Sequence, residues 1–466
     1  MRQGRGLVAL ASLALACASL PGGGPAKPAL PALPDAGGRP AHVVLVSIAG
    51  LTAERWASGG AMPALAALAV QGVSAERVDE VAPASVYPAH ATLVTGVSPA
   101  AHGIVADHLL GERGVRRAAP AHASALRAPT LWQRVAEAGA EVAAFDWPTT
   151  TGAEIATLLP DVTPERKSER WQTLAAAAAS PGIADRVKLA PPAVDAPSDA
   201  RDGLLVDLAC AALPQSRLVL LRLRGTEAAL VSSGPRSAAA TAAFAAADAQ
   251  LARLLRCAES KGVLAQAAFV VTGDRALEPV HTAVRANSWL LDGGWITPEG
   301  RWKALVRSNG GSAFVYANEA RTALEVRKRL EAGAKESGAF RVIGAEEMIV
   351  RGADPDAWFG LQAEPGFVFV DTIGGAPLGV AQARGAGGRL VRDDAAATPG
   401  LVAFGRGFRS GVVVPRMSQL DVAPTLAAML GVKLETATGR MLVGLLRAPE
   451  PKPAKPAKPA EKKRAP

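Results

Sequence analysis

The feature that most constrains the fold is the stretch of residues 41–109, which opens with a buried strand. His42–Ile48 is an unbroken, valine-rich apolar run that ends in Ala-Gly, and such a run is typical of a parallel strand covered on both faces. A helix is predicted to begin near Pro63. Residues 83–88 form a turn punctuated by prolines, and residues 89–94 are predicted to start a second helix. Residue 86 would then lie at a helix N-terminus, where backbone amides commonly hold a phosphate.

The middle of the chain alternates predicted helices and strands. Helices are predicted over residues 131–138, 203–213 and 238–259, and strands over residues 142–145, 217–223 and 267–272. This order favours an α/β fold with a mostly parallel sheet that helices cover on both faces. At 466 residues with 49% hydrophobic content, the chain can bury a large core, as one large domain or two smaller ones.

The first 18 residues have the pattern of a secretory signal peptide. Two arginines precede the apolar run 7–16, and small residues surround Cys17. The apolar run is too short to span a bilayer as a mature helix. Residues 14–17 also resemble a bacterial lipobox, so lipidation of Cys17 and plain signal cleavage both stay open. We expect an exported protein of a bacterial periplasm or cell envelope, with or without a lipid anchor.

Both ends of the chain differ in composition from its centre. Residues 19–41 are predicted to be a Pro/Gly/Ala-rich linker, residues 42–450 the folded domain, and residues 451–466 a disordered Lys/Pro/Ala tail. Of the net charge of +9, residues 451–466 carry +5 and residues 1–41 carry +3, which leaves +1 for residues 42–450. No specific nucleic-acid binding is therefore predicted. The tail could contact anionic envelope polymers or act only as a solubilising segment.

Two of the three cysteines are candidates for a disulfide. Cys210 and Cys257 lie in predicted helices before and after the predicted strand 217–223, so they could meet on one face of the sheet. An exported pair is more often bridged than a cytosolic one. We therefore predict a Cys210–Cys257 bond.

Residues 41–109 resemble the opening of a known enzyme family. Its motif P-x-x-T-[FY]-P-N-H-x-T-x-x-T-G leads into H-G-I-x-x-N, and the frame of that motif is present here as Gly50, Pro63, Pro83, Tyr87, Pro88, His90, Thr92, Thr95, Gly96, His102, Gly103 and Ile104. The family is the type I phosphodiesterase and nucleotide pyrophosphatase branch of the alkaline phosphatase superfamily. Further matches lie at residues 145–153, 270–275, 280–291, 403–408 and 420–431. The resemblance covers residues 42 to about 445 and implies a three-layer α/β/α sandwich with a central, mostly parallel sheet, alkaline phosphatase-like.

The residues that carry the family's phosphoryl chemistry are replaced in this stretch. The metal-binding Asp of the family falls on Ala49, the nucleophilic Thr on Val86, the adjacent Asn on Ala89, and the phosphate-contacting Asn on Asp107. Valine has nearly the shape of threonine but lacks its hydroxyl. The resemblance thus implies that the packing is kept and the nucleophile is lost.

The remaining metal positions of the family are also replaced. Its D-x-x-x-H pair falls on Glu227 and Val231, its Asp-His pair on Asp274 and Arg275, and its last His on Gly387. Relatives hold two divalent metals, usually zinc, and one or two carboxylates cannot hold a pair of zinc ions. No catalytic residue, no metal ligand and no cofactor are therefore predicted. The carboxylate of Asp274 is expected to pair instead with Arg275, or with Arg222 or Arg224.

Two classes of function follow from this degenerate site. The first is an exported pseudoenzyme that keeps the fold and has a scaffold role or a cleft for an anion or nucleotide, that is, a phosphate-containing ligand. The alternative is an active phosphodiesterase or phosphatase rebuilt around Ser85, or around Tyr87, with Asp107 or Arg275 assisting. Without metals that alternative loses the charge neutralisation on which phosphoryl transfer depends. The sequence names neither the ligand nor the oligomeric state, and the pseudoenzyme is the interpretation we favour.

Overall fold

The computed structural model describes residues 30–33, 37–57, 60–111, 114–115, 118–162, 171–189, 198–391 and 397–447. The predicted signal peptide, the lipidation candidate Cys17 and the tail 451–466 lie outside the described residues. Within the described part, no helix is both long and apolar enough to cross a bilayer.

An eight-stranded, mostly parallel sheet forms the centre of the molecule. In spatial order its strands are Val412–Val414, Val73–Ala75, Leu401–Gly405, Ala267–Gly273, His42–Ile48, Leu218–Leu223, Val142–Trp147 and Thr157–Pro160. The strand Leu401–Gly405 runs antiparallel to both of its neighbours, and the other pairings are parallel. The central position of His42–Ile48 agrees with its unbroken apolar sequence.

Helices cover both faces of this sheet, as the side chains of its central strand show. Val44, Val46 and Ile48 point into one hydrophobic core, while Val43 and Leu45 point into the other. The predicted three-layer α/β/α architecture is confirmed. The described α-helices are Glu54–Ala57, Pro63–Gln71, Val86–Thr95, Pro99–His102, Leu131–Glu137, Trp171–Ala178, Pro181–Leu189, Ser198–Ala212, Glu227–Ser232, Ala238–Ser260, Ala286–Asp292, Ala320–Ser337, Ala345–Val350 and Val422–Leu430, with single 3-10 turns at Ala123–Ala125, Leu264–Gln266, Gln419–Asp421 and Val443–Leu445.

Smaller sheets extend the fold on the C-terminal side of the strand Ala267–Gly273. An antiparallel sheet has the strand order Ala304–Ser308, Ser312–Ala317, Phe359–Ala363 and Phe340–Ile343. It packs with the helix Ala320–Ser337 around a hydrophobic cluster of its own. A further sheet is formed by Glu278–Val284, which pairs with Gly366–Phe369, Leu378–Val380 and Gly385–Ala386. Elsewhere in the described chain there are two short strand pairs, Val78–Asp79 with Met417–Ser418 and Leu110–Gly111 with Gly114–Val115.

Capping residues fix the bounds of the helices near the site. The Ser237 side chain accepts the Ala240 N–H at 3.1 Å and starts the long helix Ala238–Ser260. Gly96, in the left-handed conformation at φ 72°, ends Val86–Thr95. That helix begins at residue 86 and not at residue 89 as predicted, because Pro88 is tolerated in the first turn, where backbone N–H groups lack helical partners.

The later part of the predicted linker differs from the sequence-based expectation. Leu30 and Leu33 pack against the core on one face of the sheet. The Arg217 guanidinium donates to the carbonyl of Pro40. These two leucines are bulky apolar residues in a stretch otherwise rich in Pro, Gly and Ala. Their partial burial against the core stabilises the contact between this segment and the domain. The packed unit therefore includes residues that precede His42.

Cys210 and Cys257 are joined by a disulfide, with their Cα atoms 6.0 Å apart. Cys210 lies in the helix Ser198–Ala212 and Cys257 in the helix Ala238–Ser260. Both helices contribute side chains to the same core. The bond therefore links neighbouring helices on one face of the sheet.

Removing this disulfide should lower stability. The bond closes a loop of 47 residues, and for a loop of that size the loss expected in the free energy of unfolding is about 4 kcal/mol. The variant Cys210→Ser/Cys257→Ser should show this loss in urea unfolding, and wild type treated with dithiothreitol should unfold at the same urea concentration as the variant. A wild-type midpoint that dithiothreitol does not move would contradict the prediction.

Candidate functional site

The candidate site lies at the carboxyl ends of the parallel strands, where the loops after neighbouring strands meet. Residues placed directly after four of these strands come together at this edge: Ala49, Asp161, Arg224, Asp274 and Arg275. The N-terminus of the helix Val86–Thr95 faces the same cleft. The degenerate family positions are therefore brought together by the topology of the sheet.

Val86 is the first residue of its helix, and its side chain packs in an apolar cluster. Its side chain is 7% exposed and belongs to a small cluster with Tyr87, Ala91 and Ile104. Its two methyl groups contribute to packing. They offer no lone pair that could attack phosphorus.

Asp107 lies on the backbone amides at the start of this helix. The N–H of Tyr87 donates to its Oδ1 atom at 2.8 Å, and the N–H of Val86 donates to its Oδ2 atom at 3.3 Å. A carboxylate thus occupies the helix N-terminus, which the sequence analysis had interpreted as a phosphate position.

Asp274 is fully buried and receives three hydrogen bonds. The N–H groups of Gly50 and Arg275 donate to Oδ1 at 2.9 Å and 2.8 Å, and the Arg275 Nη1 atom donates to Oδ2 at 2.5 Å. The expected guanidinium partner of Asp274 is therefore Arg275. Asp274, which stands where the resemblance places a metal ligand, is an arginine-bound carboxylate in this structure.

The ion pairs continue from Arg275 across the floor of the cleft. Glu227 lies 2.9 Å from Arg275, 3.3 Å from Arg222 and 3.6 Å from Arg224. Asp161 lies 3.3 Å from Arg222 and 3.0 Å from Arg224. We call these residues, together with Asp274, the arginine network. Arg222 and Arg224, the other candidates for Asp274, pair with Asp161 and Glu227 instead.

The network keeps its carboxyl groups ionised. Burial alone would raise the pKa values of Asp161, Glu227 and Asp274, but the adjacent guanidinium charges outweigh burial and each pKa lies below its usual range. Burial also opposes the charge of Arg275, and the surrounding carboxylates raise its pKa on balance. All six groups are thus charged at neutral pH.

Three further positions of the family pattern hold side chains without ligand atoms. Ala49 stands where the resemblance places a metal-binding Asp, and Ala89 stands where it places the Asn beside the nucleophile. Both are buried, and the Ala49 carbonyl accepts the Thr226 hydroxyl at 2.6 Å. Val231 packs against the core from the helix Glu227–Ser232. These side chains fill space at the edge of the site and cannot bind a cation.

Gly387 lies against the side chain of Arg275. A Cβ atom added to Gly387 would come within 2.9 Å of Arg275 Cδ and 3.2 Å of Arg275 Nε. Any side chain at position 387, including the histidine of the family, would collide with the arginine in its present place. Arg275 and Gly387, which stand where the resemblance places two histidines, are therefore compatible with each other.

The two divalent ions of the family do not fit these residues. Zinc needs about four N, S or O ligands per ion, whereas Asp274 and Glu227 already bind guanidinium groups. Within the ranges that the structure describes, no group of three or more His, Cys, Asp or Glu side chains could hold a metal ion.

Neither alternative nucleophile is paired with a free base, since Asp161, the carboxylate next to Tyr87, is already bound to Arg222 and Arg224. Ser85 is 2% exposed, and its Oγ atom has no hydrogen-bond partner. The Tyr87 hydroxyl donates to Asp161 Oδ2 at 2.9 Å. Burial and the charge of Asp161 raise the Tyr87 pKa far above its usual value, so the phenol stays protonated.

His90 and His102 have structural roles in the helix Val86–Thr95 and its surroundings. His90 Nδ1 donates to the Val86 carbonyl at 2.7 Å, and Nε2 accepts the Ser47 hydroxyl at 2.9 Å. Burial and the nearby Arg222 lower the His90 pKa to about 4, and burial lowers the His102 pKa to about 3. Both rings are neutral and join elements of the frame.

A cleft of about 950 Å³ opens above these residues. Its charged floor is formed by Asp107, Asp161, Arg222, Arg224 and Glu227, and its wall includes small or apolar residues such as Ala119, Ala121 and Leu174. A cleft of this size can take a small organic ligand.

Sequence reasoning missed several members of the site. Asp161, at the end of the strand Thr157–Pro160, is central to the network and was not singled out. Arg201 pairs with the buried Asp146 beside it. The signal that could have found Asp161 and Asp146 is their position at the carboxyl ends of parallel strands.

Comparison with known proteins places this geometry in a family. Residues 43–371 match the family described as type I phosphodiesterase / nucleotide pyrophosphatase. The chain belongs to this family. A search of curated protein sequences gives no match.

Solved structures of phosphodiesterase-family proteins are similar in fold. Murine ectonucleotide pyrophosphatase/phosphodiesterase 5 has a TM-score of 0.63 at 18% identity, and the match covers 87% of this chain and 100% of that one. The human protein of the same name has a TM-score of 0.64 at 17% identity, with the same coverage. An inactive variant of the murine protein, in complex with AMP, gives a TM-score of 0.63 at 18% identity with the same coverage. At these identities the likeness shows the fold alone.

The variant Arg275→Met should destabilise this phosphodiesterase-family protein strongly at neutral pH. It leaves Asp274 as a buried charge without its guanidinium, and we expect a loss of about 3–5 kcal/mol in the free energy of unfolding. In the wild type the Asp274 pKa is lowered, so its contribution is present above its usual pKa and is lost as pH falls. In the variant burial dominates and raises that pKa, so protonation relieves the penalty. Urea unfolding should therefore show a difference between the two proteins that shrinks from pH 7 to about pH 4.

An exposed ion pair provides the matched control. Arg321 contacts Glu325 at 3.2 Å, and their side chains are 86% and 47% exposed, so Arg321→Met should cost less than about 0.5 kcal/mol. Asp274→Asn combined with Arg275→Met should be less damaging than Arg275→Met alone, because the buried charge of Asp274 is removed together with its guanidinium partner. Equal losses for Arg275→Met and Arg321→Met would count against the network.

Proposed function

We propose that this chain is a non-hydrolytic, exported member of the phosphodiesterase family whose cleft serves ligand binding or a scaffold role. The observation that supports the proposal is the arginine network, in which Asp274 and Glu227, two positions where the resemblance implies metal ligands, bind the guanidinium group of Arg275. Val86 at the position of the nucleophile supports the same conclusion.

The network opposes metal binding through charge as well as through missing ligands. A dication near Asp274 would approach the guanidinium of Arg275, which lies 2.5 Å from that carboxylate. Expelling the arginine would leave it buried without its partners, and such a loss costs several kcal/mol. The binding of a metal by only one or two carboxylate ligands would have to offset this loss of free energy.

The alternative, a hydrolase rebuilt around Ser85, has weaker support. A serine nucleophile needs a base within hydrogen-bonding distance, and the Ser85 Oγ atom makes no hydrogen bond. Asp107, which contacts the start of the helix that follows Ser85, is engaged with the Val86 and Tyr87 amides.

Export is proposed on the sequence of the first 18 residues, and the Cys210–Cys257 bond suits an oxidising compartment. Fractionation of bacteria that express the full chain should place it outside the cytoplasm, and removal of residues 1–18 should retain it inside. Cys17→Ser separates the two open routes. Loss of membrane association in this variant indicates lipidation, and unchanged release indicates plain cleavage.

The purified protein should bind no stoichiometric zinc and should not hydrolyse bis(4-nitrophenyl) phosphate above background. The physical reason is the loss of both the hydroxyl at position 86 and the metals that would activate it. Zinc content after dialysis against zinc, measured by plasma mass spectrometry, and release of nitrophenolate test the two statements on one sample.

Two variants separate this proposal from the alternative. Val86→Thr restores the family hydroxyl with little change in volume and should still give no turnover, because no metal activates it. Ser85→Ala should change nothing. Chelator-sensitive turnover in the wild type that disappears in Ser85→Ala would refute the proposal and establish a rebuilt site.

A further inference from the structure

The first two backbone amides of the helix Val86–Thr95 donate to a carboxylate of the same chain. The Tyr87 and Val86 N–H groups donate to the two oxygens of Asp107 at 2.8 Å and 3.3 Å. The N-cap residue of this helix, Ser85, makes no side-chain capping bond. The cap is therefore supplied by a carboxylate 21 positions later than Val86 in the chain.

This contact lies at the inner end of the large cleft. Val86, Tyr87 and Asp107 all line the cleft of about 950 Å³. A ligand that entered would meet the Asp107 carboxylate where the helix amides would otherwise be open. An incoming phosphate would therefore have to displace a negative group already bound to the same donors.

The charge of the floor adds to this obstacle. Its two guanidinium groups, those of Arg222 and Arg224, are paired with Asp161 and Glu227. Asp107 is a third carboxylate of the floor, so these five groups together carry one negative charge. The arginines are already ion-paired within the arginine network, so the floor has no net positive charge that could attract an anion.

We propose that the Asp107 carboxylate is an internal anion that closes the phosphate position of the cleft, so that the wild-type protein excludes phosphate groups. This role of Asp107 rests on the proposed function, since it concerns a cleft without metals. It also narrows that function. The ligand class is an uncharged or cationic small molecule. The phosphate-containing ligand expected from the sequence does not bind.

The test compares Asp107 variants for anion binding. Asp107→Ala removes the side chain and opens both amides, and Asp107→Asn removes the charge at nearly constant size. Isothermal titration with orthophosphate and with AMP, in the presence of EDTA, should detect no binding to the wild type. Both variants should bind each anion with a dissociation constant at least about tenfold below the wild-type detection limit, and Asp107→Ala should give the larger gain. A tenfold change corresponds to about 1.4 kcal/mol of binding free energy. We expect at least this much from freeing the two amides and removing the like charge.

Controls keep the outcomes separate. Glu325→Gln removes one negative charge from an exposed helix and should leave anion binding undetectable, which excludes an effect of net charge. Circular dichroism and urea unfolding verify that the Asp107 variants fold, because loss of a cap costs about 1 kcal/mol. If the alanine variant does not fold, the asparagine variant and the wild type still decide the question.

Two results would overturn the inference. One is binding of orthophosphate or AMP to the wild type that the Asp107 variants weaken or leave unchanged. The other is folded Asp107 variants that bind neither anion. Zinc content and nitrophenolate release are measured on the same wild-type sample. Phosphate binding without turnover refutes only this inference, whereas zinc-dependent turnover refutes the proposed function.

Discussion

The site depends on the pairing of buried charges at the carboxyl edge of the sheet. Asp274 and Arg222 have almost no exposure, and a charge so deep is tolerated only when an opposite charge and hydrogen bonds surround it. The arginine network meets this need with residues that follow three strands and with Glu227 at the start of a short helix. It thereby holds together the loops that follow these strands.

The family motif survives where its residues support the frame. His90 joins the central strand, through Ser47, to the first turn of the helix Val86–Thr95. Gly96 ends that helix, and a Cβ atom there would approach Ala437 to 2.9 Å. These contacts join elements of the fold and do not involve the side chain at position 86. A motif match at such positions therefore reports on the fold and does not by itself establish activity.

Much of the fold was predictable because its signals are local. The apolar run His42–Ile48 and the helix Ala238–Ser260 were predicted to within a residue, since periodicity and length determine such elements. The partners of charged groups were less predictable. Asp161 lies more than sixty positions from Arg224 along the chain, and only the strand order brings them together. The separate cluster under the antiparallel sheet 304–363 was missed for the same reason.

Gly387 and Arg275 are coupled through direct contact. A Cβ atom at position 387 would come within 2.9 Å of Arg275 Cδ, so a larger residue there requires the arginine side chain to shift. Removing Arg275 instead leaves Asp274 and Glu227 without a guanidinium that both contact, which is unfavourable for buried carboxylates. Substitutions at positions 275 and 387 should therefore be non-additive, because each changes the surroundings of the same ion pairs.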